Sequence, residues 1–392
     1  MNSAVIVDAV RTPGARRNGK LRGWHAVDVA AEPLRALIER NDLDPALVDD
    51  VIMGCVMQVG EQALNIGRNA VLAAGFPESV PATTLDRQCG SSQQALHFAA
   101  QGVMAGAYDV VIAAGIEHMT HTPMGSSVVR DLGFPFGPTV MGRYAERGGL
   151  VSQGISAEMI ADQWGLSRQD LDEFGARSQR LAATAAAEGR FEREIVALAV
   201  RDDEGKPTDE MLTVDEGIRP DTTAEVLGNL KPAFKPDGKV TAGNSSQICD
   251  GAAAVLIMSE ERAAALGLTP RARFHAFALA GVDPVTMLTG PIPATKSVLE
   301  RAKMTLDDID LVEINEAFAS VVLSWEKELH PDMDKVNVNG GAIALGHPLG
   351  ASGAKLMTTL LNELERTGGR WGLETMCEGG GMANATIIER LG

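Results

Sequence analysis

The side chains able to do chemistry gather in four short segments of this 392-residue chain. Cys89 stands in Cys89-Gly90-Ser91-Ser92, at the start of an Ala-rich helical stretch read over 93–105. A helix N-terminus stabilises a thiolate and lowers a thiol pKa. Small neighbours let a substrate approach, which suits a nucleophile. Backbone N–H groups at the same place can face a developing oxyanion. From this segment alone, a buried core cysteine reads equally well.

The second segment, 336–353, surrounds His347 with glycines. That density implies a sharply shaped loop approached closely by a ligand or another backbone. Pro348 restricts His347 to extended geometry, so the ring is held as a general base must be. No Gly-Lys-Ser/Thr follows, which argues against a phosphate-binding P-loop. The third segment, Cys377-Glu378-Gly379-Gly380-Gly381, sets a thiol at a strand end beside backbone N–H groups. The fourth, Asn315-Glu316-Ala317-Phe318, follows a strand-like run. Its Asn can orient a water or an oxygen, or simply cap a helix.

The elements that position these residues follow a βαβ pattern. Apolar strand-like runs lie over 5–10 and 110–114, 48–59 gives a turn and another strand-like run, and 83–89 leads into a helical stretch over 93–105, with helical periodicity also over 28–41. Strands apolar on both faces are those of buried parallel sheets. The pattern returns with strands over 271–280, 309–314, 373–377 and 385–389 and helices over 294–303 and 351–366. In each half a glycine-bearing helix entry precedes a strand at similar distance, which reads as an internal duplication. Any doubly wound domain repeats itself to some degree, so that plainer reading stays open. Between the halves, 118–239 is rich in Pro, Gly and charge, with a helix over 167–180, and reads as an insertion covering something. The apolar run over 252–258 completes the first half.

The chain has 35 Lys and Arg against 52 Asp and Glu, a formal net charge of −17. That balance argues against a nucleic-acid partner, since phosphate backbones are held by clustered cations. Cys55, Cys89, Cys249 and Cys377 form no CxxC and no zinc-ligand spacing with His, so no metal site is expected. Four cysteines in so long a chain are no disulfide scaffold. The first residues lack a signal-peptide pattern, the C-terminus carries no peroxisomal address and no apolar run reaches membrane-spanning length. A cytoplasmic protein without membrane insertion is the expectation.

Taken together, the four segments resemble the thiolase family of acyl-CoA C-acyltransferases over essentially the whole chain. The glycine run 340–353 is similar to the second signature of that family, Cys377 with its glycines to the third, and Cys89-Gly90-Ser91 to the nucleophile loop. The resemblance implies an α/β, five-layered αβαβα fold of two duplicated halves with an inserted coenzyme A-binding loop domain. The expected limits are 1–117 with 240–268 for the first half, 118–239 for the insertion and 269–392 for the second half. It implies Cys89 as the acyl-accepting nucleophile, His347 as its base, and Asn315 as the residue fixing a water in the oxyanion site. Cys377 would move the α-carbon proton, and the N–H groups of Cys89 and Gly379 would form a second oxyanion hole. Arg219, Phe234, Ala242, Ser246 and Phe318 match coenzyme A contacts. No permanent cofactor is implied; coenzyme A and acetyl-CoA are substrates. Homodimers or homotetramers are implied, with 123–149 as a tetramer contact.

This sequence departs from the family pattern at Ser92, at Gln153 beside the acyl pocket, at Val226 and at Ala383. A decarboxylating ketoacyl synthase would lack the Cys377 segment, and a non-catalytic acyl-CoA-binding relative would be expected to lose Cys89, His347 or Cys377. The activity implied is 3-ketoacyl-CoA thiolysis in fatty-acid or steroid side-chain breakdown, with biosynthetic acetoacetyl-CoA formation as the alternative.

Overall fold

The computed structural model describes residues 3–392, Arg130 by its backbone alone. In chain order the first elements are β1 (Ala4–Arg11), β2 (Ala15–Arg16), α1 (Ala26–Arg40), β3 (Asp50–Gly54), α2 (Ile66–Ala73), β4 (Ala82–Leu85), α3 (Ser91–Ala105) and β5 (Val110–His118). Between β5 and β8 (Cys249–Ser259) come α4 (Pro138–Tyr144), α5 (Gln153–Gln163), α6 (Arg168–Ala187), the strands β6 (Leu198–Arg201) and β7 (Pro207–Leu212), and α7 (Ala224–Gly228). The chain continues through α8 (Glu260–Ala265), β9 (Ala272–Gly281), α9 (Pro291–Ala302), β10 (Leu311–Ile314), α10 (Ala319–Leu329) and α11 (Ala342–Leu345). It closes with α12 (Ser352–Thr367), β11 (Trp371–Glu378) and β12 (Met382–Arg390).

The strands repeat one topology. β3 pairs in parallel with β4 and β5; β8 is antiparallel to β5 and to β1. In the second set β10 pairs in parallel with β11, and β12 is antiparallel to β11 and to β9. Val336 bridges Val312 of β10 in parallel, in the place that β4 takes beside β3. The duplication read from the sequence is thus present as matching strand order. The two sets join where Val5 and Ile6 of β1 pair with Arg273 and Ala272 of β9.

Side-chain alternation sorts these strands into layers. Val110, Ile112 and Ala114 of β5 pack with α1 and α2, whereas Val111 and Ala113 face α3 and α12. Phe274 of β9 shares that inner core, while Ala276 and Ala278 pack outward with α9 and α10. The order is helix, sheet, helix, sheet, helix. Helices α3 and α12 are buried between the sheets and meet backbone to backbone. A Cβ on Gly353 would stand 2.2 Å from Gln93 N. Ser92, a departure from the family pattern, ties the same junction, its Oγ accepting from Ala354 N at 2.9 Å.

Two stretches differ from the sequence reading. The turn and strand-like run read over 48–59 hold only the short strand β3, which stops at Gly54; beyond it the buried Glu117 carboxylate accepts from Val56 N (2.9 Å) and Met57 N (3.1 Å). The insertion carries more regular structure than expected, including α5 and the β6–β7 pair. No helix among the described residues is long and apolar enough to cross a membrane.

Candidate active site

Loops at the C-terminal ends of β3, β5, β10 and β11 converge on one place, where open α/β sheets bind ligands. Backbones meet there almost without side chains between them. A Cβ on Gly350 would stand 2.5 Å from Ile116 O and 2.6 Å from Cys55 Cα. Glu117 locks this junction from below, accepting also from Gly350 N (2.9 Å) and Gln62 Nε2 (2.8 Å).

Cys89 lies just ahead of α3, whose N-cap is Gly90. Gln88 before it holds a left-handed φ of 49°, a sharp turn that aims the thiol. The sulfur opens onto a cavity of about 880 Å³, walled by Val56, Met57, Phe134, Phe318, Leu349 and Met382, among others. Gln153, at the first turn of α5, and the N–H groups of Gly379 and Cys89 itself face the sulfur and favour its thiolate. They do not prevail. Burial, with the nearby Glu378 carboxylate, pushes the Cys89 thiol up to about 12. This corrects the expectation of a lowered pKa: the desolvation penalty outweighs the helix end. The resting group is a thiol.

His347 is buried behind the cavity wall on the loop between α11 and α12. Gly346 before it takes a φ of 81°, and a Cβ there would meet Cys249 Sγ at 2.5 Å. Ser352 Oγ donates to Pro348 O (2.9 Å), so it accepts from His347 Nδ1 at 2.5 Å. The proton therefore sits on Nδ1, and Nε2 presents its lone pair toward the Asn315 amide, 3.4 Å from Nδ2. Burial, then the charge of Lys355, lowers the His347 pKa to about 3. The ring is therefore neutral at rest, the form that can take up a proton at Nε2, and burial makes it a weaker base than a free imidazole. Lys355 anchors the loop by donating to Leu345 O (2.5 Å) and Gly346 O (3.1 Å).

Cys377 is buried at the end of β11, opposite Ala383 of β12. Burial raises its pKa well above the usual thiol range, and Cys89 and Glu378 add to the rise. The two thiols are thus close enough to oppose each other's ionisation. Gly379 follows and lines the cavity.

Of the sequence candidates, Cys89, Gly379, Phe234 and Phe318 line the cavity, whereas His347, Asn315 and Cys377 are buried and are not among its lining residues. The rings of Phe234 and Phe318 stand edge to face with centroids 6.0 Å apart. Phe234 rests on Gly154 so closely that a Cβ there would fall 2.1 Å from the ring. Arg219 and Ala242 are exposed and Ser246 is half-buried; none of the three is among the cavity-lining residues. Ser246 N instead donates to Ala317 O, next to Phe318. The sequence reading missed Ser352, five residues beyond His347, and gave no role to the carboxylate clamps Glu117 and Glu316. Glu316 accepts from Ser178 Oγ (2.6 Å), Asn337 Nδ2 (3.0 Å) and Ile343 N (3.1 Å), holding the base of the His347 loop. An acid within two residues of a strand's C-terminal end was the available signal for both.

The family model described as "Thiolase, N-terminal domain" matches residues 4–261, and "Thiolase, C-terminal domain" matches residues 268–390. The chain belongs to the thiolase family. As a thiolase it is an acyltransferase working on coenzyme A-linked substrates. A steroid 3-ketoacyl-CoA thiolase of Mycobacterium tuberculosis is 50% identical over 100% of this chain and 95% of its own length. A 3-ketoacyl-CoA thiolase of Saccharophagus degradans is 49% identical over 99% of this chain and 98% of its own length. The crystal structure of the Bacillus anthracis acetyl-CoA acetyltransferase superposes with a TM-score of 0.90 at 40% identity, covering 100% of this chain and 99% of that one.

Proposed function

We propose that this thiolase cleaves 3-ketoacyl-CoA thioesters of fatty-acid or steroid side-chain breakdown. The observation that carries the proposal is the Cys89 thiol opening onto a large apolar cavity, with two backbone N–H groups facing the sulfur and a second thiol beside it. Cys89 gives its proton to His347 Nε2 as its sulfur attacks the C3 carbonyl. The oxyanion so formed is held at Asn315 and the bound water it would fix. The C2–C3 bond then breaks and leaves Cys89 acylated. The electron pair goes to C2, and Cys377 supplies the proton that turns the enolate into acetyl-CoA. The N–H groups of Cys89 and Gly379 stabilise that enolate oxygen. Coenzyme A, giving up its thiol proton to a site base, then attacks the acyl-Cys89 carbonyl and releases the shortened acyl-CoA. Two half-reactions through a covalent intermediate give ping-pong kinetics.

Phe234 and Phe318 contact the pantetheine arm in this reading, with Arg219, Ala242 and Ser246 further along the cofactor. Degradation is favoured over acetoacetyl-CoA synthesis by the named relatives and by a cavity far larger than an acetyl group requires. The acetyl-CoA acetyltransferase neighbour keeps the synthetic reading as the alternative. Relative activity across a chain-length series of 3-ketoacyl-CoAs decides between them. A homodimer or homotetramer is supported by apolar side chains bared in 124–141, Leu132 at 86% and Phe134 at 65% exposure; light scattering tests it. The four free, buried cysteines suit a reducing cytoplasm.

Cys89→Ala is expected to abolish acyl transfer. Cys377→Ala is expected to retain acylation of Cys89, seen by mass spectrometry, while losing condensation. Normal turnover by Cys89→Ala would overturn the nucleophile assignment.

A further inference from the structure

Glu378 follows Cys377 in the chain, lies near the Cys89 thiol and has no part in the mechanism above. Its side chain is fully buried, and neither carboxyl oxygen has a hydrogen-bond partner among the described residues. The carboxyl presses against Gly90, the residue after the nucleophile. A Cβ on Gly90 would stand 2.1 Å from Glu378 Oε1 and 2.9 Å from Asn384 Oδ1. Asn384 donates its Nδ2 to Gly90 O at 3.2 Å, which turns Oδ1 toward the same spot, and Oδ1 too is buried without a partner.

Two orphaned acceptors side by side are costly if both are only acceptors, since each has lost its water. One proton on the carboxyl removes the conflict, because a carboxylic acid is a donor. We propose that Glu378 is a positioning residue that works as a neutral acid, its O–H directed to Asn384 Oδ1, so that Cys89 and Cys377 can each become a thiolate without a carboxylate beside them.

The charged groups facing Glu378 are few. Arg87 favours its ionisation and Asp86 opposes it, both from the turn before Cys89; Cys89 and Cys377 oppose it when ionised. Burial dominates and carries the carboxyl to about 8. Above that pH the carboxylate forms and raises the pKa of both thiols. The device therefore switches thiolate formation off on the alkaline side.

The proposal rests on the assignment of Cys89 and Cys377, but its test does not require turnover. The full-length protein and Glu378→Gln are alkylated with iodoacetamide across pH 6–10, and Cys89 modification is followed by mass spectrometry. At pH 6.5 the two rates are expected to agree within about twofold. At pH 9.5 Glu378→Gln is expected to react about tenfold faster, as a neighbouring like charge shifts a thiol by about a unit or more. A second variant, Arg87→Gln, leaves the carboxyl in place and removes the cation that favours its charge. It is expected to move the break in the wild-type profile to higher pH. Parallel profiles for wild type and Glu378→Gln, or an unmoved break in Arg87→Gln, would overturn the proposal. A failure of Cys89→Ala to lose acyl transfer would overturn the thiolase roles and leave this measurement standing.

Discussion

Replacing Ser352 with alanine tests the account of the base without touching any group that contacts substrate. Ser352 Oγ fixes the His347 tautomer because its own hydrogen is committed to Pro348 O. Alanine removes the acceptor that Nδ1–H has among the described residues and leaves that N–H buried. A buried donor without a partner costs about 1–3 kcal/mol. The ring escapes that cost by moving its proton to Nε2 or by turning away, and either change disables the base. At about 1.4 kcal/mol per decade, the competent population falls by about 5- to 150-fold. Because burial holds the ring neutral down to about pH 3, the defect is expected to be flat across neutral and mildly alkaline pH. The assay is the single-turnover rate of Cys89 acylation by a 3-ketoacyl-CoA, with steady-state loss of enolate absorbance alongside. Thermal unfolding checks that the protein remains folded. A Ser352→Ala enzyme within twofold of wild type in kcat/KM would refute the tautomer argument.

Two further substitutions probe the scaffold. Gly350→Ala places a methyl group within 2.6 Å of Ile116 O and Cys55 Cα, backbone atoms that cannot rotate away. A loss of about 1–3 kcal/mol, read by denaturant unfolding, is expected together with reduced activity. Glu374→Gln removes a buried carboxyl that has no partner and stands opposite Glu313 across the parallel β10–β11 pair. Burial first, then Glu313, raises the Glu374 pKa well above 4.5. The folded state thus binds the proton that the unfolded chain releases near 4.5, so this group's stability contribution is lost as pH rises. Glu374→Gln is expected to raise Tm, and more at pH 8 than at pH 5; an equal shift at both would count against a protonated Glu374.

Much of the site was legible in the residues themselves. Cys89, His347 and Cys377 stand among glycines, and glycine-rich segments next to apolar runs mark strand-to-helix turns wherever they fold. The duplication was legible because each half repeats its helix entry and strand. What could not be read was how groups distant in sequence share a charge environment. The helix-end argument for Cys89 failed because it counted one local dipole. The thiol's burial reverses the sign, and Glu378, which arrives from the other half of the chain, adds to the rise when it ionises. Arg219, Ala242 and Ser246 were placed by resemblance along loops whose course the sequence does not determine, and the folded chain leaves them off the cavity wall.

The sequence by itself therefore determined the fold class and the family, and it singled out Cys89, His347 and Cys377 as the candidate reactive groups. Those follow from local periodicity and from residue types at fixed spacing. Only the tertiary structure decided protonation and aim: which nitrogen of His347 carries the hydrogen, why both thiols rest protonated, and which buried acids clamp the loops. These depend on desolvation and on contacts between the two halves, and neither quantity is written in any single stretch of the chain.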